Sequence, residues 1–162
     1  MEEQKTDFEV IISNLVNILK KGNAHVSLDN ALENIPFNIL NKHPGELPYS
    51  IWQLAEHIRI SQLDILEFSK DSSYQSPIWP DGYWTTSLTV ETEEEWQNCV
   101  RKIKEDRHSF VELIKNSGDH LLKPFTNGNG QTLFREALVL ADHNSYHTGE
   151  IIILRRLLND WD

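Results

Sequence analysis

Residues 132–158 read TLFREALVLADHNSYHTGEIIILRRLL, and this stretch decides the fold. Leu133, Leu140, His143, His147, Ile151, Leu154 and Leu158 recur at intervals of three, four and seven, so they share one stripe of an α-helix. The helix opens near Thr132, after the glycine-rich Asn127-Gly128-Asn129-Gly130, and runs to about Leu158. At about 1.5 Å per residue it is roughly 40 Å long. A helix of that length with one apolar stripe needs neighbours to bury it.

Three more stretches repeat with the same period, and none alternates convincingly at period two. The first runs from about Asp7 to Lys20 on Phe8, Ile11, Ile12, Leu15, Val16, Ile18 and Leu19, and Gly22 ends it. The second starts at Ser50, which makes an S-x-x-Q capping box with Gln53, and continues through Ile51, Leu54, Ala55, Ile58, Ile65, Leu66 and Phe68. The third starts at Thr92 with Glu95 as box partner, carries Trp96, Val100, Ile103, Phe110, Val111 and Ile114, and stops at Gly118. A shorter helical turn covers Leu28 to Ile35, capped by Ser27 and stopped before Pro36. The expected fold is therefore all-α, a four-helix bundle in one domain over residues 1–162.

One connection is too long for a hairpin. Asp71 to Glu91 carries Tyr74, Pro77, Trp79, Pro80, Tyr83 and Trp84. A segment of this length spans a whole helix, which allows the second and third helices to run parallel. Its aromatics either seal one end of the bundle or wall a pocket. They need burial, so the segment is expected to be ordered over one end of the bundle.

Composition narrows the function classes. The chain has 162 residues, 39% of them hydrophobic, with five tryptophans, enough for one core without staples. Net charge is −10, and the basic residues Arg101, Lys102, Lys104, Arg155 and Arg156 form no extended patch, which argues against nucleic acid. No apolar run has the form of a signal peptide or a membrane span. Cys99 is the only cysteine, and it lies among Trp96, Val100 and Ile103 as a small core residue. A reducing cytoplasm is the expected location.

His143 and His147 stand four residues apart, one above the other on the last helix, so both imidazoles can converge on one ion. His57 shares a face with Leu54, Ile58 and Ile65 on the second helix. Three imidazoles facing a core are costly unless their nitrogens are satisfied, and a metal satisfies three at once. The plainer alternative gives each histidine its own hydrogen bond. A protease-type site needs glutamate directly after the first histidine of the pair, where Asn144 stands. A di-iron site needs Glu-x-x-His on two helices, and Glu56 directly precedes His57. The count favours a mononuclear site with His57, His143 and His147 as ligands. Zinc or nickel suits it first, and iron, cobalt or manganese is also compatible with imidazole ligands.

The segments Leu54-Ala55-Glu56-His57-Ile58 and Ala141-Asp142-His143-Asn144-Ser145-Tyr146-His147-Thr148-Gly149-Glu150-Ile151 resemble the DinB/YfiT-like superfamily of metal-dependent enzymes. The likeness covers most of the chain, including the long connection between the two motifs. It implies a bundle of up-down-down-up topology with a long crossover between helices two and three. It also implies that His57, His143 and His147 are the metal ligands. Its members include hydrolases and thiol-dependent S-transferases and isomerases that use low-molecular-weight thiols.

Two functional classes follow. One is an enzyme with an open metal position acting on a small-molecule substrate, by hydrolysis or by S-transfer to a low-molecular-weight thiol. Glu150, Asp142 and Glu56 are the candidate catalytic or ligand-orienting carboxylates, with Tyr146 and Ser61 behind them; each carboxylate also reads as a solvated helix face. The other class is a non-catalytic metal- or ligand-binding bundle, closed by a fourth ligand such as His25, His43, His108 or His120. A bundle that merely pairs with a second copy as a homodimer is a third reading.

Overall fold

Thr6, Ser27, Ser50, Thr92 and Thr132 each accept a hydrogen bond on the side-chain hydroxyl from the backbone N–H three residues on, and each opens a helix. In the computed structural model, which describes residues 6–162, the helices are α1 (Asp7–Lys21), α2 (Leu28–Leu32), α3 (Ile51–Lys70), α4 (Glu93–Lys115) and α5 (Leu133–Leu157). Single 3-10 turns occur at Phe37–Ile39, Asp81–Tyr83 and Gly118–Leu122. Among the described residues there is no strand, only one isolated bridge between Pro124 and Thr132. No described helix is long and apolar enough to cross a membrane.

Two boundaries differ from the sequence reading. α2 ends at Leu32 instead of reaching Ile35, because Glu33 turns extended and Asn34 takes the left-handed conformation at φ 56°. Asparagine tolerates that region better than most residues. Arg155 then donates to the carbonyls of Ala31 and Glu33, closing the short helix from α5. α4 stops at Asn116, before Gly118, whose residue instead starts the next 3-10 turn.

α3 packs against α4 and α5, α1 packs against the same two helices, and α2 lies on α5. With neighbours on several sides, α5 is apolar around much of its circumference rather than along one stripe. The core falls into two apolar clusters. One gathers Ile51, Leu54, Ile58, Trp96, Ile103, Ile151 and Leu154 with α2. The other gathers Leu15, Leu19, Ile65, Phe110, Ile114, Leu133 and Leu140.

A polar waist separates them. Gln62, fully buried, donates from Nε2 to the Ile103 carbonyl and accepts from Asn144 Nδ2, linking α3 to both α4 and α5. Both ends of the Gln62 amide are answered in this way, whereas the buried Asn144 Oδ1 has no hydrogen-bond partner of sound geometry. His57, His143 and His147 lie at this level of α3 and α5.

The segment between α3 and α4 does not cap an end of the bundle. It runs back along α3: Tyr83 reaches His57 and Asp64, the Ser87 carbonyl accepts from Trp52 Nε1, and Val90 exchanges two hydrogen bonds with Asn41. Trp79 remains 74% exposed, so its aromatics are not all buried as expected.

Candidate metal centre

His57, His143 and His147 each present one ring nitrogen, and the three nitrogens lie within 4.8 Å of one another. α3 carries the first and α5 the other two, one helical turn apart. Within the cluster His57 Nε2 and His143 Nε2 are 3.1 Å apart. Two ligands at 2.0–2.1 Å from a tetrahedral ion stand roughly 3.3 Å apart, so this spacing suits a shared cation.

The outer nitrogens fix which lone pairs point inward. His57 Nδ1 is 2.8 Å from the Tyr83 carbonyl, and His147 Nδ1 is 2.6 Å from Glu150 Oε2. Both partners only accept, so both Nδ1 atoms carry a proton, which in the neutral rings leaves both Nε2 atoms with a lone pair. This is the arrangement by which outer hydrogen bonds orient metal-ligating histidines. His143 Nδ1 has no hydrogen-bond partner of sound geometry, although Asn144 lies beside it.

Two of the rings, His57 and His143, are held toward the neutral form. Burial pushes the His143 pKa down to about 3, aided by the nearby His147 and His57. Burial also lowers that of His57, against the opposing pull of the Tyr83 carbonyl. Neutral imidazoles are the ligating form. Trp84 stacks on His57 with ring centroids 4.2 Å apart, and Tyr146 meets His147 edge-on at 4.9 Å.

The histidines open into a cavity of about 700 Å³ walled by α3, α5 and the crossover segment. Trp79, Tyr83 and Trp84 line it, so the crossover does wall a pocket. Ser61 and Tyr146 reach it as well, the first buried and the second exposed.

The three candidate carboxylates separate. Glu150 belongs to the site: Oε2 takes the His147 proton donor and Oε1 accepts from the Tyr49 hydroxyl at 2.6 Å. That bond, with burial, raises the Tyr49 pKa to about 12. Asp142 is exposed and lines a different cleft, with His25 and Ser145. Glu56 is buried toward α4, in a two-bond pair with Arg59 and near Cys99. His25, His43, His108 and His120 are exposed, and none joins the cluster.

Tyr49 and Asp64 were not singled out by sequence as parts of this site, whereas Tyr83 and Trp84 belong to the aromatic segment read as a possible pocket wall. Asp64 carried a readable signal, standing two turns after His57 on the same face. Tyr49 carried none. No protein-family model matches the chain, and no curated protein or solved structure matches it.

Proposed function

We propose that this chain is a metal-dependent enzyme of the DinB/YfiT-like superfamily, with one divalent ion held by His57, His143 and His147. The observation that carries the reading is the convergence of three imidazole nitrogens with two of the outer nitrogens already engaged by Tyr83 and Glu150. Among the described residues no fourth histidine, cysteine or carboxylate joins the cluster, which favours an open site over a closed structural one. Zinc or nickel suits the donor set, with iron, cobalt or manganese next.

An ion held this way supplies Lewis acidity and lowers the pKa of water or thiol bound to it. The chain's own residues do the rest. Glu150 keeps the proton on His147 Nδ1, and the Tyr49 hydroxyl holds that carboxylate in place. With both oxygens engaged, Glu150 orients a ligand more readily than it exchanges protons with substrate. Trp84 and Tyr146 shield the imidazoles from water.

Hydrolysis or S-transfer on a small molecule fits a cavity of this size. In S-transfer the thiol comes from a low-molecular-weight co-substrate, because Cys99 is buried and burial drives its pKa well up. A cytoplasmic setting suits such a thiol.

Contacts among α3, α4 and α5 support the down-down-up part of the up-down-down-up arrangement. Glu56 with Cys99 and Gln62 with Ile103 advance together along α3 and α4, whereas Tyr49 with Glu150 and Gln62 with Asn144 advance in opposite senses along α3 and α5. Metal analysis of protein purified without chelator, followed by thiol-conjugation and hydrolysis screens, tests the reading. Metal with turnover supports it; bound metal without turnover moves it to a non-catalytic binder; no metal removes it.

A further inference from the structure

The cavity at the histidines extends along α3 to Asp64, seven residues and roughly 10 Å beyond His57. Asp64 is only 9% exposed. Its Oδ2 accepts from the Tyr83 hydroxyl at 2.8 Å, and its Oδ1 has no hydrogen-bond partner of sound geometry. The half-buried Tyr74 lies near the same carboxylate, whose charge adds to burial in raising the phenol's pKa.

A buried carboxylate is costly unless its charge is met. The other two acids lining the cavity are answered. Glu136 pairs with Arg135 at 2.6 Å, and both Glu150 oxygens are occupied. Asp64 forms no ion pair with any described lysine, arginine or histidine. A neutral ligand leaves that charge uncancelled, and an anionic one is repelled by it.

The wall beside Asp64 is aromatic. Trp79 and Tyr83 line the same cavity with ring centroids 5.4 Å apart and planes tilted by 60°. Aromatic faces attract cations, and a carboxylate framed by such faces is suited to an organic ammonium group.

The geometry points to Asp64 as the recognition group for a protonated amine on the substrate. Tyr83 holds the carboxylate in place through its hydroxyl, and Trp79 offers a ring to the ammonium and its apolar neighbours. The inference deepens the metal-dependent reading, and rests on it only for the substrate's other end, which would lie at the three histidines. The substrate class is then an amine-bearing small molecule long enough to bridge Asp64 and the metal centre.

Calorimetric titration with phenethylammonium and with its neutral counterpart phenethyl alcohol tests this. Wild type and Asp64→Asn are each compared zinc-free and with zinc added. Wild type should bind the ammonium at least about tenfold more tightly than the alcohol, and should do so without zinc, which excludes amine ligation to the metal. The near-isosteric Asp64→Asn should bring the two ligands to within about twofold. Equal binding by zinc-free wild type, or an undiminished preference in a folded Asp64→Asn, overturns the inference. The wild-type comparison decides even where the variant does not fold. Zinc binding without amine preference overturns this inference alone, and amine preference without zinc binding overturns the metal reading alone.

Discussion

Trp84 lies flat on His57, with ring centroids 4.2 Å apart and planes 9° from parallel. The preceding residue, Tyr83, accepts the His57 Nδ1 proton on its carbonyl. One short stretch of the crossover therefore sets both the plane and the tautomer of a candidate ligand on α3. Trp84→Ala should weaken zinc affinity by about tenfold, the scale at which outer partners of ligating histidines act. It should also speed proteolytic nicking between residues 71 and 91. Chelator competition and limited proteolysis measure the two effects; unchanged affinity together with unchanged nicking would show that the stack holds neither.

Glu150 joins His147 to Tyr49, and its charge is felt at both ends. Glu150→Gln keeps the size and removes the charge. The Tyr49 pKa should then fall from about 12 toward its ordinary value near 10, visible in an ultraviolet titration of the tyrosines. Zinc affinity should fall by about 10- to 100-fold in the same variant. A drop in the phenol pKa with undiminished zinc affinity would separate Glu150 from the metal centre.

The metal-free protein should lose stability in mild acid. His143 has an ordinary pKa of 6.5, and burial with its neighbouring histidines pushes it down to about 3. In the unfolded chain it takes up a proton as pH falls through about 6.5, while in the folded chain it resists until about 3. The unfolded state binds more protons throughout that window, so stability is fully present above it and declines as pH falls across it. His57 shifts in the same direction and adds to the effect. Urea midpoints of chelated protein should therefore drop between pH 7.5 and pH 5, and His143→Asn should flatten the drop. An equal slope in the variant would assign the acid sensitivity to other groups.

Much of this arrangement was legible because it depends on local chemistry. Ser50 with Gln53, and Thr92 with Glu95, announce helix starts that the structure reproduces, and the apolar spacing puts His57, His143 and His147 on inward faces. The carboxylates were less legible for a geometric reason. Glu56 and Asp142 each directly precede a candidate ligand, and adjacent helical residues point about 100° apart, so both leave the site. Glu150, three residues after His147, returns to the same side. The end of α2 turned on Asn34 adopting a left-handed conformation, a choice that several side chains at that position would not have made. The path of the crossover was not legible either. Its seat depends on Tyr83, Ser87 and Val90 meeting α3 and the segment before it, contacts whose register no periodicity encodes.

The three histidines make the most direct prediction. Replacing His57, His143 or His147 by alanine should greatly weaken binding of a divalent ion, because each provides one of three converging nitrogens. His25 and His120 are exposed and outside the cluster, so their alanine variants should bind as wild type does. Binding should also couple to folding, since the unfolded chain does not bring α3 and α5 together. At a free metal concentration about one hundred times Kd the native state gains about 2.7 kcal/mol. For a chain of this size, that corresponds to a Tm rise of roughly 5–10 °C, reversed by chelator. Calorimetric titration and thermal melts of wild type, the single variants and the triple alanine variant measure both effects. Stoichiometric metal in the triple variant, or a chelator-sensitive Tm that survives it, would place the ion elsewhere and leave the proposed enzyme without its centre.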